Sequence, residues 1–174
     1  PGISPTSKLV KLLRGYNIEI RTEIDLALDY LSGEYIAITG TNGKSTLTQV
    51  LANILRDDGF IAAGNIGYPA CEAVLQDRES NLSLELSSYQ IEYMDMKKAP
   101  YAAVFLSFAT DHLERHGSLE EYFRVKWSLI EATLNNSGHA LISEDILQYA
   151  IKYGLKHDFA KLTIISDKDM YQNT

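Results

Sequence analysis

The chain has 174 residues, enough for one domain with its own core, and a formal net charge of −7. That charge argues against a nucleic-acid-binding surface, because such surfaces neutralise phosphates with Lys and Arg. No apolar run approaches the roughly 18 residues of a membrane-spanning helix, and the single cysteine, Cys71, has no disulfide partner within these residues. No secretory leader is recognisable, so we expect a cytoplasmic protein without membrane insertion. Because the chain opens at Pro1 without a methionine, we also expect a fragment of a longer protein.

Helices and strands are predicted to alternate along most of the chain. Ser4 and Pro5 predict a helix that runs to Arg14, a short strand is predicted at residues 17–20, and Thr22-x-x-Asp25 is a capping signature for a second helix. This order predicts an α/β fold, with a mainly parallel sheet covered by helices on both faces, of the P-loop nucleotide-binding type. Residues 167–174 are polar and indicate a loop or a cut end. The other strands are predicted at residues 35–38, 60–63, 81–86, 102–107, 139–143 and 162–165, and the other helices behind residue 46 and from about residues 69, 118 and 144.

A glycine-rich loop follows the apolar run at 35–38 and precedes an apolar series with helical spacing. Such a strand–loop–helix unit binds phosphate through backbone N–H groups and the positive end of the helix. Lys44 can reach the outer phosphates of a nucleotide, and Ser45 can offer its hydroxyl to Mg²⁺. The longer P-loop pattern has glycine at the position of Ile38, so this loop is a shortened variant, and an ordinary glycine-rich turn is the alternative. We call it the glycine loop; its residues are Gly40, Thr41, Asn42, Gly43, Lys44, Ser45 and Thr46.

Three further segments end predicted strands, where open parallel sheets bind their ligands. Gly64-Asn65-Ile66-Gly67 is a second candidate anion site or, alternatively, a tight turn. Glu85 lies on the strand face opposite the leucines and could share Mg²⁺ with Ser45; the alternative is a solvated edge glutamate. His112 follows the strand at 102–107 and is either a ligand or a structural histidine.

The long helix predicted after Ser118 carries one charge on its apolar face. Ser118-x-x-Glu121 predicts a capping box, and at about 100° per residue Lys126 falls inside the apolar arc, opposite the other charges. Its amine either snorkels to solvent or is desolvated. A desolvated amine favours the neutral form, which can act as a nucleophile or take up carbon dioxide as a carbamate that ligates Mg²⁺. The arc is formed by Leu119, Tyr122, Phe123, Trp127, Leu129, Ile130 and Leu134.

The glycine loop, the Gly-Asn-Ile-Gly segment, Leu-Glu-Leu-Ser-Ser-Tyr-Gln at 84–90, Asp-His-Leu at 111–113 and Tyr122-x-x-x-Lys126 occur in this order. Together they resemble the Mur ligase family over nearly the whole chain. The opening residues 1–4 and the segment 84–90 favour the members that add D-glutamate to UDP-N-acetylmuramoyl-L-alanine. Ser107 stands where this family usually has asparagine, and residues 108–110 differ from its usual polar sequence.

The resemblance implies that all residues of the glycine loop bind ATP, with Lys44 on the outer phosphates and Ser45 on Mg²⁺. It implies that Glu85 shares this metal ion, and that His112 and a carbamylated Lys126 hold or orient a second Mg²⁺. Lys44, Glu85, His112 and Lys126 would then be the catalytic residues. The residues that would contact the uridine-nucleotide substrate are Gly2, Asn65, Ser87, Ser88 and Gln90.

The resemblance also implies a three-domain architecture. Residues 1–21 would be the remnant of an N-terminal uridine-nucleotide-binding domain, and residues 22–174 an incomplete central ATP-binding domain, with the C-terminal amino-acid-binding domain absent. The implied function is an ATP-dependent ligase core that joins D-glutamate to UDP-N-acetylmuramoyl-L-alanine through an acyl phosphate in peptidoglycan precursor synthesis. We expect the fragment alone to be inactive as a ligase. The alternatives are a nucleotide-binding module without ligase activity and a Mur-type ligase for another amino acid.

Overall fold

A computed structural model describes residues 2–155 and 161–166 of the chain. In this part the strands form one six-stranded sheet, and every neighbouring pair is parallel. The strands are β1 (Tyr35–Thr39), β2 (Phe60–Gly64), β3 (Asn81–Glu85), β4 (Ala102–Phe105), β5 (His139–Ser143) and β6 (Leu162–Ile165). The helices are α1 (Lys8–Gly15), α2 (Glu23–Tyr30), α3 (Lys44–Ile54), α4 (Ala70–Gln76), α5 (Ser88–Ile91), α6 (Leu113–His116), α7 (Leu119–Asn135) and α8 (Glu144–Lys152), with a 3₁₀ turn at Arg56–Asp58.

The strand order β2-β3-β1-β4-β5-β6 places β1 inside the sheet, between β3 and β4. The carboxyl ends of these three strands therefore meet at one edge, where the register pairs Ile38 with Glu85 and Thr39 with Phe105. Ligands of open parallel sheets bind at such an edge. The fold thus brings the glycine loop, Glu85 and the segment after β4 together.

Helices cover both faces of the sheet, as the alternation of elements predicts. On β3, Ser83 faces α3, because its hydroxyl donates to the carbonyl of Thr48 at 2.9 Å. Leu82 and Leu84 point to the opposite face, because successive strand residues alternate. There they join one buried apolar cluster that also contains residues of α2, α4, α7 and α8, among them Ile24, Ala73, Trp127 and Ile146.

The N-terminal elements differ from the sequence-based prediction. The first helix begins at Lys8 and not at Pro5, because Ser7 is the capping residue and accepts a hydrogen bond from the Val10 N–H at 3.2 Å. The predicted strand at 17–20 is wrong. Asn17 has a left-handed φ of 55°, and the Ile18 N–H donates to the Leu13 carbonyl, which closes the helix end and takes this group away from any strand ladder.

The two predicted capping boxes have different outcomes. In α2 the box is complete, since the Asp25 carboxylate accepts from the Thr22 N–H at 2.9 Å and the Asp25 N–H donates to the Thr22 hydroxyl at 3.0 Å. In α7 the Glu121 N–H donates to the Ser118 hydroxyl at 3.1 Å. The reciprocal bond from the Glu121 side chain is not among the contacts of the described residues, so only half of this box is confirmed.

The remaining predictions concern the chain end and the membrane. The loop predicted at residues 167–174 lies outside the described residues. Across residues 2–155 and 161–166, no helix combines the length and the apolar character needed to cross a bilayer.

Candidate functional site

The glycine loop joins the end of β1 to the start of α3, as predicted. Gly43 is the N-terminal cap of α3 and has a left-handed φ of 79°. A Cβ atom at this position would lie 2.7 Å from the Leu106 side chain, so both the conformation and the space favour glycine. The first N–H groups of α3 have no partner inside the helix, because intrahelical bonds begin with the Leu47 N–H. This end of α3 is suited to an anion, and the Lys44 amine lies over the loop, 3.1 Å from the Thr41 carbonyl.

Glu85 ends β3 beside this loop and is 2% exposed. The alternative of a solvated edge glutamate is therefore wrong, since β3 lies between β2 and β1. The Asn65 side-chain amide donates to Glu85 Oε1 at 2.9 Å, whereas the buried Oε2 has no hydrogen-bond partner among the described residues. A buried carboxylate oxygen without a donor is the kind of ligand that a divalent cation takes. The site thus fits a Mg²⁺ ion.

Lys126 is 1% exposed, so its amine does not snorkel to solvent. Nζ donates to the Gly40 carbonyl at 2.9 Å and to the Thr39 hydroxyl at 3.3 Å, and it lies 5.0 Å from the centre of the Tyr122 ring. Burial lowers the pKa of Lys126 from 10.5 to about 7, and the positive charge of Lys44 adds to this shift. The amine is therefore neutral in a substantial fraction of molecules near neutral pH.

His112 lies in the loop between β4 and α6 and has a left-handed φ of 50°. Its Nδ1 lies 3.3 Å from the Tyr89 hydroxyl, and its Nε2 lies 3.3 Å from the Asp111 carboxylate. A non-glycine residue in this conformation is uncommon and often marks a functional site. This geometry is compatible with His112 as a ligand and with His112 as a structural residue, because the contacts that hold the ring leave its side chain 41% exposed.

The residues expected to contact a nucleotide substrate occupy different positions. Ser87 and Gln90 form a capping box at the start of α5, in which the Gln90 side-chain oxygen accepts from the Ser87 N–H and hydroxyl, both at 2.9 Å. Ser88 is buried, and its hydroxyl lies 3.0 Å from Nε2 of His116. Gly2 is exposed, at the N-terminal end of the described residues. Asn65 contacts one of the proposed metal ligands directly, through its hydrogen bond to Glu85.

No group of three or more His, Cys, Asp or Glu side chains suited to a metal ion occurs in the described part of the chain. A cation beside Glu85 would therefore need other ligands, such as the Ser45 hydroxyl and the phosphates of a nucleotide. The predicted metal residues remain a hypothesis that the buried, unpaired Oε2 of Glu85 supports.

The sequence reasoning did not anticipate how the segment after β4 contacts the glycine loop. The Ser107 carbonyl accepts from the Thr41 N–H, and the Ser107 hydroxyl bonds to both backbone groups of Asn42, each at 2.9 Å. The Ala109 N–H donates to the Thr41 hydroxyl at 3.0 Å. The only signal in the sequence was the departure of residues 107–110 from the family pattern.

The parallel sheet and the glycine loop at its inner strand define an α/β domain of the P-loop type. Residues 38–172 match the Mur ligase middle domain, and the chain belongs to the Mur ligase family. This confirms the fold class and the family that the motifs predict.

Similar proteins include several UDP-N-acetylmuramoylalanine--D-glutamate ligases. That of Aquifex aeolicus is 36% identical over 179 residues, which cover 99% of this chain and 42% of that protein. That of Leptospira interrogans serovar Lai is 35% identical over 176 residues, covering 97% of this chain and 36% of that protein. That of Prochlorococcus marinus is 39% identical over 137 residues, covering 75% and 29%. The chain therefore spans less than half the length of these relatives.

Among solved structures, the MurF ligase from Thermotoga maritima in complex with ADP aligns with a TM-score of 0.61. The alignment covers 82% of this chain and 34% of that chain at 22% sequence identity. At this level of identity the similarity demonstrates a shared fold.

Proposed function

We propose that this chain is the ATP-binding core of a ligase that joins D-glutamate to UDP-N-acetylmuramoyl-L-alanine in peptidoglycan precursor synthesis. The observation that carries the proposal is the meeting of three groups at the carboxyl ends of β1 and β3. These are the glycine loop, the unpaired carboxylate oxygen of Glu85 and the buried amine of Lys126. The names of the relatives support the choice of substrates.

In the proposed mechanism, the N–H groups at the start of α3 and the Lys44 amine hold the outer phosphates of ATP. Ser45 and Glu85 would hold a Mg²⁺ ion, which when bound offsets the negative charge of the phosphates. The substrate carboxylate would attack the γ-phosphorus, ADP would leave, and the amine of D-glutamate would then displace phosphate from the acyl phosphate. The chain's own contribution is to position the phosphates of ATP and the substrate carboxylate, two anions that otherwise repel each other.

Lys126 and His112 form the second part of the proposed site. The neutral Lys126 amine can add to the carbon of carbon dioxide and lose a proton, which gives a carbamate anion. This anion and the His112 ring would hold a second Mg²⁺. The proposed substrate-binding residues are Gly2, Asn65, Ser87, Ser88 and Gln90, of which Asn65 lies directly beside Glu85.

Calorimetric titration with ATP, in the presence and absence of Mg²⁺, tests the nucleotide site. We expect the wild-type chain to bind Mg-ATP, Lys44→Ala to lose affinity by about tenfold or more, and Glu85→Gln to lose the dependence on Mg²⁺. Glu79→Gln on the exposed surface is the matched control and should behave as wild type. Wild-type affinity in both site variants would contradict the proposal.

The ligase step is tested in the full-length gene product by following ADP release with the nucleotide substrate and D-glutamate. Lys44→Ala, Glu85→Gln and Lys126→Met should each abolish it. Product formed with another amino acid and not with D-glutamate would instead identify a different Mur-type ligase.

A nucleotide-binding module without ligase activity is the second candidate, favoured by the glycine loop at the start of α3, which could bind phosphate whether or not ligation follows. Mg-ATP binding without any ligation, in the isolated chain and in the full-length gene product alike, would support this candidate.

A further inference from the structure

Ser107, the second residue after β4, is bonded to the glycine loop through both its backbone and its side chain. Its carbonyl accepts from the Thr41 N–H at 2.9 Å. Its hydroxyl accepts from the Asn42 N–H and donates to the Asn42 carbonyl, both at 2.9 Å. One oxygen atom thus satisfies both backbone groups of a loop residue, which a methyl group cannot do.

These bonds divide the N–H groups of the loop into two sets. Thr41 and Asn42, in the first half, donate to Ser107. The groups from Gly43 to Thr46 lie at the start of α3, where no intrahelical acceptor is available. The second set is therefore the one that can donate to phosphate, while the first set holds the loop to the segment that follows β4.

The backbones of the two segments are also in close contact. A Cβ atom at Gly40 would lie 3.1 Å from the Ser107 nitrogen and 3.3 Å from the Ser107 hydroxyl, so this position has no room for a side chain without a shift. Next to it, Thr41 is held on the same side by the bond from the Ala109 N–H at 3.0 Å. Ser107 and Ala109 therefore fix the first half of the loop. In the described structure, neither residue bonds to the N–H groups at the start of α3.

We propose that Ser107 is a positioning residue for nucleotide binding: its hydroxyl holds the glycine loop in the conformation that directs the N–H groups at the start of α3 towards the phosphates. This inference rests on the proposed ATP-binding function. Ser107 acts through the loop, and no contact with the nucleotide is required. Without the hydroxyl, the loop samples other conformations, and part of the binding free energy is spent on ordering it again.

The test compares Ser107→Ala, which removes the hydroxyl, with Ser107→Thr, which keeps it. The matched control is Ser128→Ala in α7, where the serine hydroxyl also donates to a backbone carbonyl, that of Val125 at 2.8 Å, but away from the loop. Calorimetry should show roughly tenfold weaker Mg-ATP binding for Ser107→Ala, and affinities within about threefold of wild type for Ser107→Thr and Ser128→Ala. Thermal denaturation establishes that each variant is folded.

Amide hydrogen exchange gives a readout that does not depend on ATP. In the ligand-free protein, the Asn42 N–H should exchange roughly tenfold faster in Ser107→Ala than in wild type, with amides in the core of the sheet unchanged. Unchanged exchange at Asn42, or equal affinity loss in Ser107→Ala and Ser107→Thr, would overturn the inference. If wild type binds no Mg-ATP, the proposed function fails, whereas the exchange experiment still decides whether Ser107 orders the loop.

Discussion

At the scale of single residues, burial acts on Lys126 through the cost of desolvating a charge. The folded-state pKa of about 7 lies below the ordinary value of 10.5, so between these values the unfolded chain binds more protons than the folded chain. Stability must therefore rise with pH across this window, and the penalty of burying the charged amine is fully present below it. This direction is opposite to that of a lysine stabilised by an ion pair.

We predict that the free energy of unfolding of the wild-type chain increases by about 2 kcal/mol between about pH 7 and pH 9, relative to Lys126→Met. The variant lacks the titrating amine and should be the more stable protein at and below neutral pH. Urea denaturation at several pH values, in buffers free of metal ions and carbon dioxide, measures the difference. A constant difference between the two proteins would show that the amine is not desolvated.

Glu85 presents the complementary case of a buried carboxylate that is only half satisfied. Replacement by Gln removes the charge and retains an oxygen for the Asn65 amide, so we predict that Glu85→Gln stabilises the metal-free protein by about 1 kcal/mol. Asn65→Ala should destabilise it by about 1–2 kcal/mol, because Oε1 would then also lose its donor. Urea denaturation without Mg²⁺ checks both values, and a destabilised Glu85→Gln protein would argue against an unsatisfied carboxylate.

At the scale of elements, the caps of α2 and α7 differ in how many groups depend on them. Asp25 is 3% exposed and accepts hydrogen bonds from the Thr22 N–H, the Thr22 hydroxyl and the Asp95 N–H. Within residues 2–155 and 161–166, Ser118 accepts a single bond, from the Glu121 N–H. Removal of the Asp25 carboxylate should therefore leave several donors in its surroundings unpaired, whereas removal of the Ser118 hydroxyl exposes one N–H to water.

We predict that Asp25→Ala lowers the free energy of unfolding by about 2–3 kcal/mol and Ser118→Ala by about 1 kcal/mol. Glu121→Ala should have almost no effect, because its side chain does not complete the box. Chemical denaturation of the three variants gives the ranking. Equal costs at Asp25 and Ser118 would contradict the role of Asp25 outside its own helix.

The elements that sequence reasoning identified are those with a repeated pattern. The strands at 35–39 and 139–143 are apolar runs bounded by polar residues or glycine, and α7 has enough turns for its arc to single out Lys126. Four-residue helices such as α5 and α6 are too short to show a period, and neither was predicted. At residues 17–20, the local pattern favoured a strand, but the closure of α1 determined the conformation.

The same distinction applies to the candidate site. Lys126 could be singled out because its charge interrupts the apolar arc of α7, and Glu85 because it lies at the end of a strand, on the face opposite the leucines. The bonds between Ser107 and the glycine loop could not, because they require β4 to lie beside β1, and alternation of strands and helices does not define strand order. Contacts between segments that are distant in the sequence depend on the strand order of the sheet, and a single sequence contains little information about that order.

At the scale of the whole molecule, one apolar cluster connects the two halves of the sheet. It contains Ala73 of α4, a helix that contacts β2, and also Phe123 and Trp127 of α7, a helix that contacts β4 and β5. The Phe123 and Trp127 rings stack at a centroid distance of 5.8 Å. Because the cluster is continuous, neither half can lose its packing without exposing apolar surface of the other.

We predict that the described fold unfolds in a single transition. Trp127 is the only tryptophan in the chain and is 1% exposed, so its fluorescence reports on the packing of α7 alone. Far-UV circular dichroism reports on all helices and strands. The urea midpoints from the two signals should coincide within about 0.2 M if the transition is cooperative. An earlier midpoint for Trp127 fluorescence would mean that α7 and the half of the sheet that it covers open separately, and the glycine loop would then lie at the boundary between two folding units.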